Sequence, residues 1–204
     1  KYGNKIAKNI TKFQNSVSTN GGYYIGRYEA GVTGYDANNI TTENSNQDTN
    51  WTGYTNATGQ KLQVVSKANQ QVWNYVTQNK AADLAQNMYE NPKFTSDLMN
   101  SYAWDTAITF IQKCTDKTNY ANETSANKGS APVQTGTTTD NPCNIFDMAS
   151  NVMEWTTETS NNSRIPCVRR GGYYYRSNFY TSYRGIGTTS SSNANIGFRP
   201  LLYL

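Results

Sequence analysis

The chain has 204 residues, of which 36% are hydrophobic and 13% aromatic, with a formal net charge of +4 and no histidine. This length suffices for one domain with its own core, and no apolar run approaches the roughly 18 residues that span a membrane. The basic excess comes without basic runs or a nucleic-acid motif, so nucleic acid is not an expected partner. The lack of histidine excludes a histidine-containing zinc site.

The N-terminal part predicts a helix, a strand and a loop. Apolar residues spaced three or four apart predict a short amphipathic helix within residues 1–20: Ile6, Ile10, Phe13 and Val17. Because the chain begins at Lys1, we expect this helix to be either the end of an upstream stalk or anchor, or a packing helix at the domain edge. Residues 21–29 predict a strand, and the polar residues 31–60 predict a long surface loop.

The middle of the chain predicts two core helices. A short strand is expected at residues 61–65, and then residues 78–91 carry an apolar face at helical spacing, made by Ala81, Leu84, Ala85 and Met88. Pro92 is expected to end this helix. A second helix opens at residues 101–111. The polar residues 115–141 show no periodicity, and a loop of this length is usually functional or mobile.

Two short segments frame the C-terminal part. Residues 169–172 read Arg-Arg-Gly-Gly, where glycine suits a tight turn, and residues 196–204 predict a buried closing strand. Residues 173–195 between them consist mostly of Tyr, Ser, Thr, Asn, Gly and Arg. This composition is typical of a binding surface, because Tyr gives rigid contact area and Ser, Gly and Asn give adaptable hydrogen bonds. The alternative is an ordinary Tyr-rich loop of a secreted protein.

Three motifs in one order carry a family resemblance. Residues 144–156 (NIFDMASNVMEWT), then Arg170-Gly171-Gly172, then Gly197-Phe198-Arg199 resemble the formylglycine-generating-enzyme-like (sulfatase-modifying-factor) family. The first motif departs from the consensus sequence of the family, since Ser150 replaces a Gly and Met153 replaces a Trp. The resemblance covers residues 22–204.

The resemblance implies a C-type-lectin-like α+β fold. Two helices would pack on a small mixed or antiparallel sheet with much irregular loop. The domain would span residues 21–204, with a variable region at about 170–199. The strand at residues 21–29 would pair with the closing strand at 198–203, and Trp104 and Ile108 would lie in the core.

The resemblance does not carry the family's oxidising activity. That enzyme uses a pair of cysteines a few residues after its Arg-Gly-Gly, which bind copper, whereas no cysteine follows Cys167 here. A soft-metal redox site needs thiolates, so we expect no enzyme activity and no required cofactor. Asp147 and Glu154 could form an acid–base pair, but neither has an evident nucleophile beside it.

Metal and disulfide chemistry stay open. The resemblance implies a structural calcium site at Asn151, Val152 and Glu154; Ca²⁺ takes about six to eight oxygen ligands, so backbone carbonyls and water would have to join. The alternative is that these side chains only hydrogen-bond the turn.

Of the three cysteines, Cys143 and Cys167 flank the motif and are either bridged or buried as small apolar residues.

Residues 173–195 also resemble the variable region of diversity-generating-retroelement proteins. In those proteins adenines of a template are randomised, and every residue type in this window is reachable from an Asn codon ending in C or T. Lys, Glu, Gln, Met and Trp are not reachable, and none occurs in the window. The alternative to a variable region is an adhesion loop of fixed sequence.

The expected function is therefore a non-enzymatic ligand-binding module outside a bacterial cell or on a phage. Its partner would be a protein or glycan on another cell or surface. A structural surface or pilus-like subunit is the alternative, and a formylglycine-generating enzyme is the less expected one. We expect one exposed contact patch, made by Tyr174, Tyr175, Arg176, Asn178, Phe179, Tyr180, Thr181, Ile186 and Thr188. Strand alternation would instead bury every second member, for example Tyr174 or Phe179.

Overall fold

The computed structural model describes residues 10–33 and 63–204. Three α-helices occur there: α1 (Ile10–Asn20), α2 (Gln78–Gln86) and α3 (Ser101–Cys114), with short 3₁₀ helices at Tyr120–Asn122 and Pro142–Asn144. The strands are β1 (Tyr24–Ile25), β2 (Gly31–Thr33), β3 (Gln63–Val65), β4 (Gln71–Val72), β5 (Thr95–Leu98), β6 (Met153–Thr159), β7 (Cys167–Arg170), β8 (Arg184–Gly187), β9 (Ile196–Phe198) and β10 (Pro200–Tyr203). The predicted α+β class is confirmed.

One antiparallel sheet joins the two ends of the domain. Its order is β1-β10-β5, so the closing strand lies in the middle, with Tyr24 opposite Leu202 and Leu98 opposite Pro200. The predicted pairing of the first and last strands is confirmed. The first strand is shorter than the predicted residues 21–29, since only Tyr24 and Ile25 pair in register with β10.

Two further sheets complete the fold. The first has the order β3-β2-β4 and is antiparallel. The second has the order β8-β7-β6-β9, in which β6 and β9 run parallel while the other pairs are antiparallel. The closing segment therefore serves two sheets, since Arg199 separates β9 from β10. The prediction of one continuous strand at 198–203 is wrong for this reason.

Helix α3 forms as the sequence pattern indicates. The Asn100 side chain caps its N-terminus by accepting a 2.9 Å hydrogen bond from the backbone N–H of Ala103. Its buried face follows the helical period: Ala103, Trp104, Ala107, Ile108 and Ile111. The predicted core positions of Trp104 and Ile108 are confirmed.

Helix α2 ends earlier than predicted. Ala81 and Ala85 are buried as expected, but the helix stops at Gln86, six residues before Pro92. Asn87 terminates it, because its side-chain amide donates to the backbone carbonyl of Asp83 at 2.8 Å. The chain then turns into β5, which packs against this helix.

Helix α1 confirms the N-terminal prediction from residue 10 onward. Phe13 is its main buried residue and packs against the rings of Tyr23 and Tyr203, with centroids 5.3 and 5.4 Å away. Ile10 is exposed, and Ile6 lies outside the described residues. The predicted loop at 31–60 begins with strand β2, and residues 34–60 also lie outside the described part.

The core consists of two apolar clusters. One surrounds Trp73, Trp155 and Phe198, and the other surrounds Trp104 and Tyr120. Tyr120 comes from the loop predicted at 115–141, and its hydroxyl donates to Asp140 at 2.7 Å. This loop is therefore anchored in the core. In the described part of the chain, no helix is long and apolar enough to cross a membrane.

Candidate functional site

The Arg-Gly-Gly segment is pressed against the backbone of the preceding motif. Gly171 has a φ of +86°, and a Cβ atom there would lie 2.5 Å from the carbonyl oxygen of Met148. A Cβ atom at Gly172 would lie 2.1 Å from the carbonyl oxygen of Ala149. Both positions therefore need glycine, Gly171 for its left-handed conformation and Gly172 for its close approach.

Arg170 anchors the start of the C-terminal segment, by which we mean the residues between Gly172 and Ile196. Its buried guanidinium donates to Asp105 and, at 3.2 Å, to the backbone carbonyl of Tyr183. It also lies 5.8 Å from the centre of the Trp104 ring. Burial lowers the pKa of Arg170, while the hydrogen bond to Asp105 opposes this shift.

Arg199 anchors the far end. Its guanidinium is fully buried and donates to the carbonyls of Gly26 at 2.7 Å and Phe146 at 2.6 Å, and to Glu154 at 2.7 Å. Burial alone would lower its pKa, but the Glu154 carboxylate outweighs burial and raises it. One side chain thus ties the first strand, the motif and the closing segment together.

The 115–141 loop supports the middle of the C-terminal segment. The backbone N–H of Thr181 donates to the carbonyl of Glu123 at 3.0 Å, and Thr124 forms a β-bridge with Tyr180. The indole N–H of Trp104 donates to the carbonyl of Thr181 at 3.0 Å. Sequence reasoning missed these supports, because main-chain contacts between distant segments leave no residue-type signal.

An aromatic stack fills the space beneath the segment. The ring centroids of Tyr173 and Phe179 are 5.1 Å apart, and those of Phe179 and Tyr183 are 4.4 Å apart. Phe179 and Tyr183 pack against the Trp155 cluster. These rings connect the segment to the core and leave its other side to solvent.

Six of the nine predicted contact residues are exposed, and we refer to them as the candidate face: Tyr175, Arg176, Asn178, Tyr180, Ile186 and Thr188. Tyr175 is 63% exposed, and the Arg176 guanidinium lies 5.0 Å from the centre of its ring. Phe179 is half-buried in the stack described above. Exposed tyrosine and arginine together provide the residue types that dominate interface energies.

The predicted exposure is wrong for Tyr174 and Thr181. Tyr174 is 8% exposed, because its backbone N–H donates to the carbonyl of Asn151 at 3.0 Å and its ring meets Tyr173 edge-on. Thr181 is fully buried between Trp104 and Glu123. Both residues belong to the support of the segment and not to its surface.

Ile186 and Thr188 lie on a different element from the other members of the candidate face. Ile186 is in β8, the edge strand of its sheet, and opposes Val168. Thr188 follows in a turn, where its backbone N–H donates to the hydroxyl of Ser191 at 2.9 Å. That they form one patch with Tyr175 and Tyr180 stays a prediction.

The side-chain oxygens of Asn151 and Glu154 in the predicted calcium site already have protein partners. Asn151 accepts from the backbone N–H of Val133 at 2.8 Å and donates to Glu29 at 2.7 Å. Val152 donates its N–H to Glu29 at 3.1 Å, and Glu154 is paired with Arg199. Within residues 10–33 and 63–204, no group of three or more Cys, Asp or Glu residues could hold a metal. Calcium binding stays a prediction that these contacts do not favour.

Glu29 is the centre of a buried group of carboxyls. Burial, and after it the nearby Asp147 and Glu154, raise the pKa of Glu29 well above its usual value. Burial also raises the pKa of Asp147, although Thr138 and the backbone N–H of Gly136 donate to it. The arrangement holds the motif turn against the N-terminal segment, because Glu29 accepts from Asn151 and Val152.

The three cysteines are unpaired in the structure. Cys167 is buried in the Trp155 cluster, whereas Cys143 packs against the Trp104 cluster. The structure therefore gives no support to a bridge between Cys143 and Cys167, and Cys167 fits the alternative of a small buried apolar residue.

Known proteins place the chain in a family. Two solved structures are similar to it: CarF, with 19% identity over 56% of this chain and 50% of that chain, and Treponema denticola variable protein 1, with 17% identity over 60% and 53%. Both have a TM-score of 0.43, and each match spans about half of the solved chain. No curated protein matches. The sulfatase-modifying factor enzyme 1-like domain matches residues 14–202, and with a match over nearly its whole length the chain belongs to this family.

Proposed function

We propose that the chain is a non-enzymatic ligand-binding module whose contact surface is the candidate face. One observation carries this proposal: the segment between Gly172 and Ile196 is anchored at both ends and underneath, while its outer side chains stand in solvent. Arg170 and Arg199 fix the ends, and the Tyr173–Phe179–Tyr183 stack fixes the underside. Outer residues on such a support can change with little effect on folding.

The chemistry of the candidate face supports binding. The Arg176 guanidinium lies 5.0 Å from the centre of the Tyr175 ring, so two residue types that dominate interface energies stand side by side. Tyr180 is held by its bridge to Thr124 and still exposes 44% of its surface. Rigid aromatic side chains of this kind give contact area at low entropic cost.

An oxidase role is disfavoured by the residues after Arg-Gly-Gly. This segment contains no cysteine, so it offers no thiolate for copper. Incubation with a cysteine-containing sulfatase peptide, copper and oxygen should leave the peptide unchanged by mass spectrometry. Stoichiometric conversion of the cysteine would contradict the non-enzymatic assignment.

We further propose that the segment is the variable region of a diversity-generating retroelement. The protein would act outside a bacterial cell or on a phage particle, and its partner would be a protein or glycan on another surface. The residue types of 173–195 support this proposal, because all are reachable from one Asn codon. A reverse transcriptase and an adenine-rich template repeat beside the gene are the expected finding, and their absence would contradict it.

Two matched libraries test the binding surface. One randomises the candidate face, and the other randomises buried positions of the same segment: Tyr174, Thr181, Gly185 and Gly187. We expect most members of the first library to melt within a few degrees of the parent and most members of the second to unfold. Panning of the first library on immobilised lysozyme, used as a defined probe, should enrich binders.

Two outcomes count against the proposal. If both libraries unfold equally, the candidate face is part of the core. If the parent sediments as an oligomer that Tyr175→Ala and Tyr180→Ala dissociate, the face serves self-assembly, and the structural-subunit alternative holds.

A further inference from the structure

Two of the three cysteines lie where helix α3 meets the second 3₁₀ helix. Cys114 is the last residue of α3 and is exposed, while Cys143 is half-buried in the middle of the 3₁₀ helix. Cα atoms of these two elements approach within 8 Å. The residues next to the cysteines, Thr115 and Pro142, line one cavity of about 290 Å³. The two thiols thus lie on neighbouring elements of the fold.

Electrostatics and packing agree with this placement. Burial, and after it the nearby Cys114 thiol, raise the pKa of Cys143. Cys143 packs against the cluster that contains Ile111, which lies three residues before Cys114 on the same helix. Cys167 is buried in the other cluster and is therefore withdrawn from both.

We propose that Cys114 and Cys143 form a disulfide when the protein meets a low-molecular-weight disulfide such as oxidised glutathione. The exposed Cys114 thiolate attacks one glutathione sulfur, which forms a mixed disulfide and releases one glutathione. The Cys143 thiolate then attacks the Cys114 sulfur, and the second glutathione leaves. The two protein thiols are oxidised, and the glutathione disulfide is reduced to two thiols that carry the two protons.

The bond would close a loop that supports the candidate face. Residues 115–142 include Glu123, whose carbonyl accepts from Thr181, and Thr124, which bridges Tyr180. Cross-linking the ends of a loop stabilises a protein mainly by restricting its unfolded state. We expect oxidation to raise the Tm by on the order of 5–10 °C.

Peptide mapping distinguishes this bond from every other pairing, because trypsin places the cysteines on separate peptides: 114–117, 129–164 and 165–169. The protein is equilibrated with oxidised and reduced glutathione, blocked with N-ethylmaleimide, and digested without reduction. We expect peptide 114–117 cross-linked to peptide 129–164, with Cys167 free. Cys167→Ser should keep the cross-link and the rise in Tm, and Cys114→Ser should abolish both.

Three outcomes would overturn the proposal. They are a cross-link between peptides 129–164 and 165–169, a dimer joined through Cys114, and a glutathione adduct on Cys114 with Cys143 still alkylated. Because Cys114 is exposed, its serine variant should fold even if Cys143→Ser does not. The control therefore remains valid in either case.

Discussion

At the scale of single residues, two of the large buried side chains, Trp104 and Trp155, also make specific polar contacts. The indole N–H of Trp155 donates to the carbonyl of Val76 at 2.7 Å, in addition to filling one core cluster. A buried tryptophan with its N–H satisfied contributes both packing and hydrogen bonding. Tyr175, in contrast, is 63% exposed and has only Arg176 stacked on it.

This contrast predicts that a substitution in the core lowers stability, whereas a substitution on the candidate face does not. Trp155→Ala should lower the free energy of unfolding by about 3–5 kcal/mol, as large-to-small core substitutions do. Tyr175→Ala should change it by no more than about 0.5 kcal/mol. Urea denaturation of both variants measures the difference. Equal losses would mean that Tyr175 belongs to the core.

The close approach at Gly172 predicts that a larger residue there destabilises the fold. Gly172→Ala would place a Cβ atom 2.1 Å from the carbonyl oxygen of Ala149, so backbone must move. We expect a loss of about 3 kcal/mol or more in the free energy of unfolding. The control is Gly129→Ala, where the nearest atom would be 3.5 Å away, and it should be neutral or stabilising by up to about 1 kcal/mol. Similar melting curves for both variants would contradict the close approach.

At the scale of elements, boundaries that depend on neighbouring residues could be predicted from the sequence. Boundaries that depend on tertiary contacts could not. The apolar residues of α3 lie close together in sequence, so the helix was predicted at its true start; the Asn100 cap, which the sequence analysis did not use, is a second local signal. The end of α2 depends on Asn87, and no Pro or Gly lies at that position, since Pro92 comes only later, in the turn into β5. The division of the closing segment at Arg199 follows from the partners of that side chain, which lie far away in sequence.

The Asn100 cap predicts that substitution of this residue lowers the stability of α3. Asn100→Ala removes the acceptor for the backbone N–H of Ala103 and should cost about 1 kcal/mol of the free energy of unfolding. Asn100→Ser keeps a capping oxygen and should recover most of this loss. Thermal melts of the two variants provide the comparison. No difference between them would show that the cap does not limit stability.

At the scale of the whole molecule, the sequence predicted the exposed residues of the candidate face better than the buried residues beneath them. Composition indicated exposure for residues 173–195, and six of the nine predicted contacts are exposed. Tyr174 and Thr181 were misassigned because their burial depends on Asn151, Trp104 and Glu123, which only the fold brings to them. Residue types that serve equally well inside and outside a protein carry no signal for this distinction.

The buried carboxyls predict how stability depends on pH. The pKa of Glu29 lies near 4.5 in the unfolded chain and well above it in the folded one, so the folded state binds more protons between these values. The free energy of unfolding should therefore fall as the pH rises from 4.5 through this window.

Glu29→Gln removes this titration and should flatten the fall, whatever the cost of altering the contacts to Asn151 and Val152. Denaturation at several pH values compares the slopes of the variant and the wild type. Parallel slopes would show that Glu29 titrates alike in both states. Asp140, Asp147 and Glu154 have pKa values shifted in the same direction and contribute to the slope that remains.

The central position of β10 sets the time at which this protein can fold during its synthesis. A ribosome delivers β1 and β5 long before β10, yet these two strands have no sheet until β10 enters between them. The guanidinium of Arg199 likewise arrives after its partners Gly26, Phe146 and Glu154. The β1-β10-β5 sheet and the contacts of Arg199 must therefore wait until residues 196–203 leave the exit tunnel. Chaperones that shield nascent chains would be needed most in that interval.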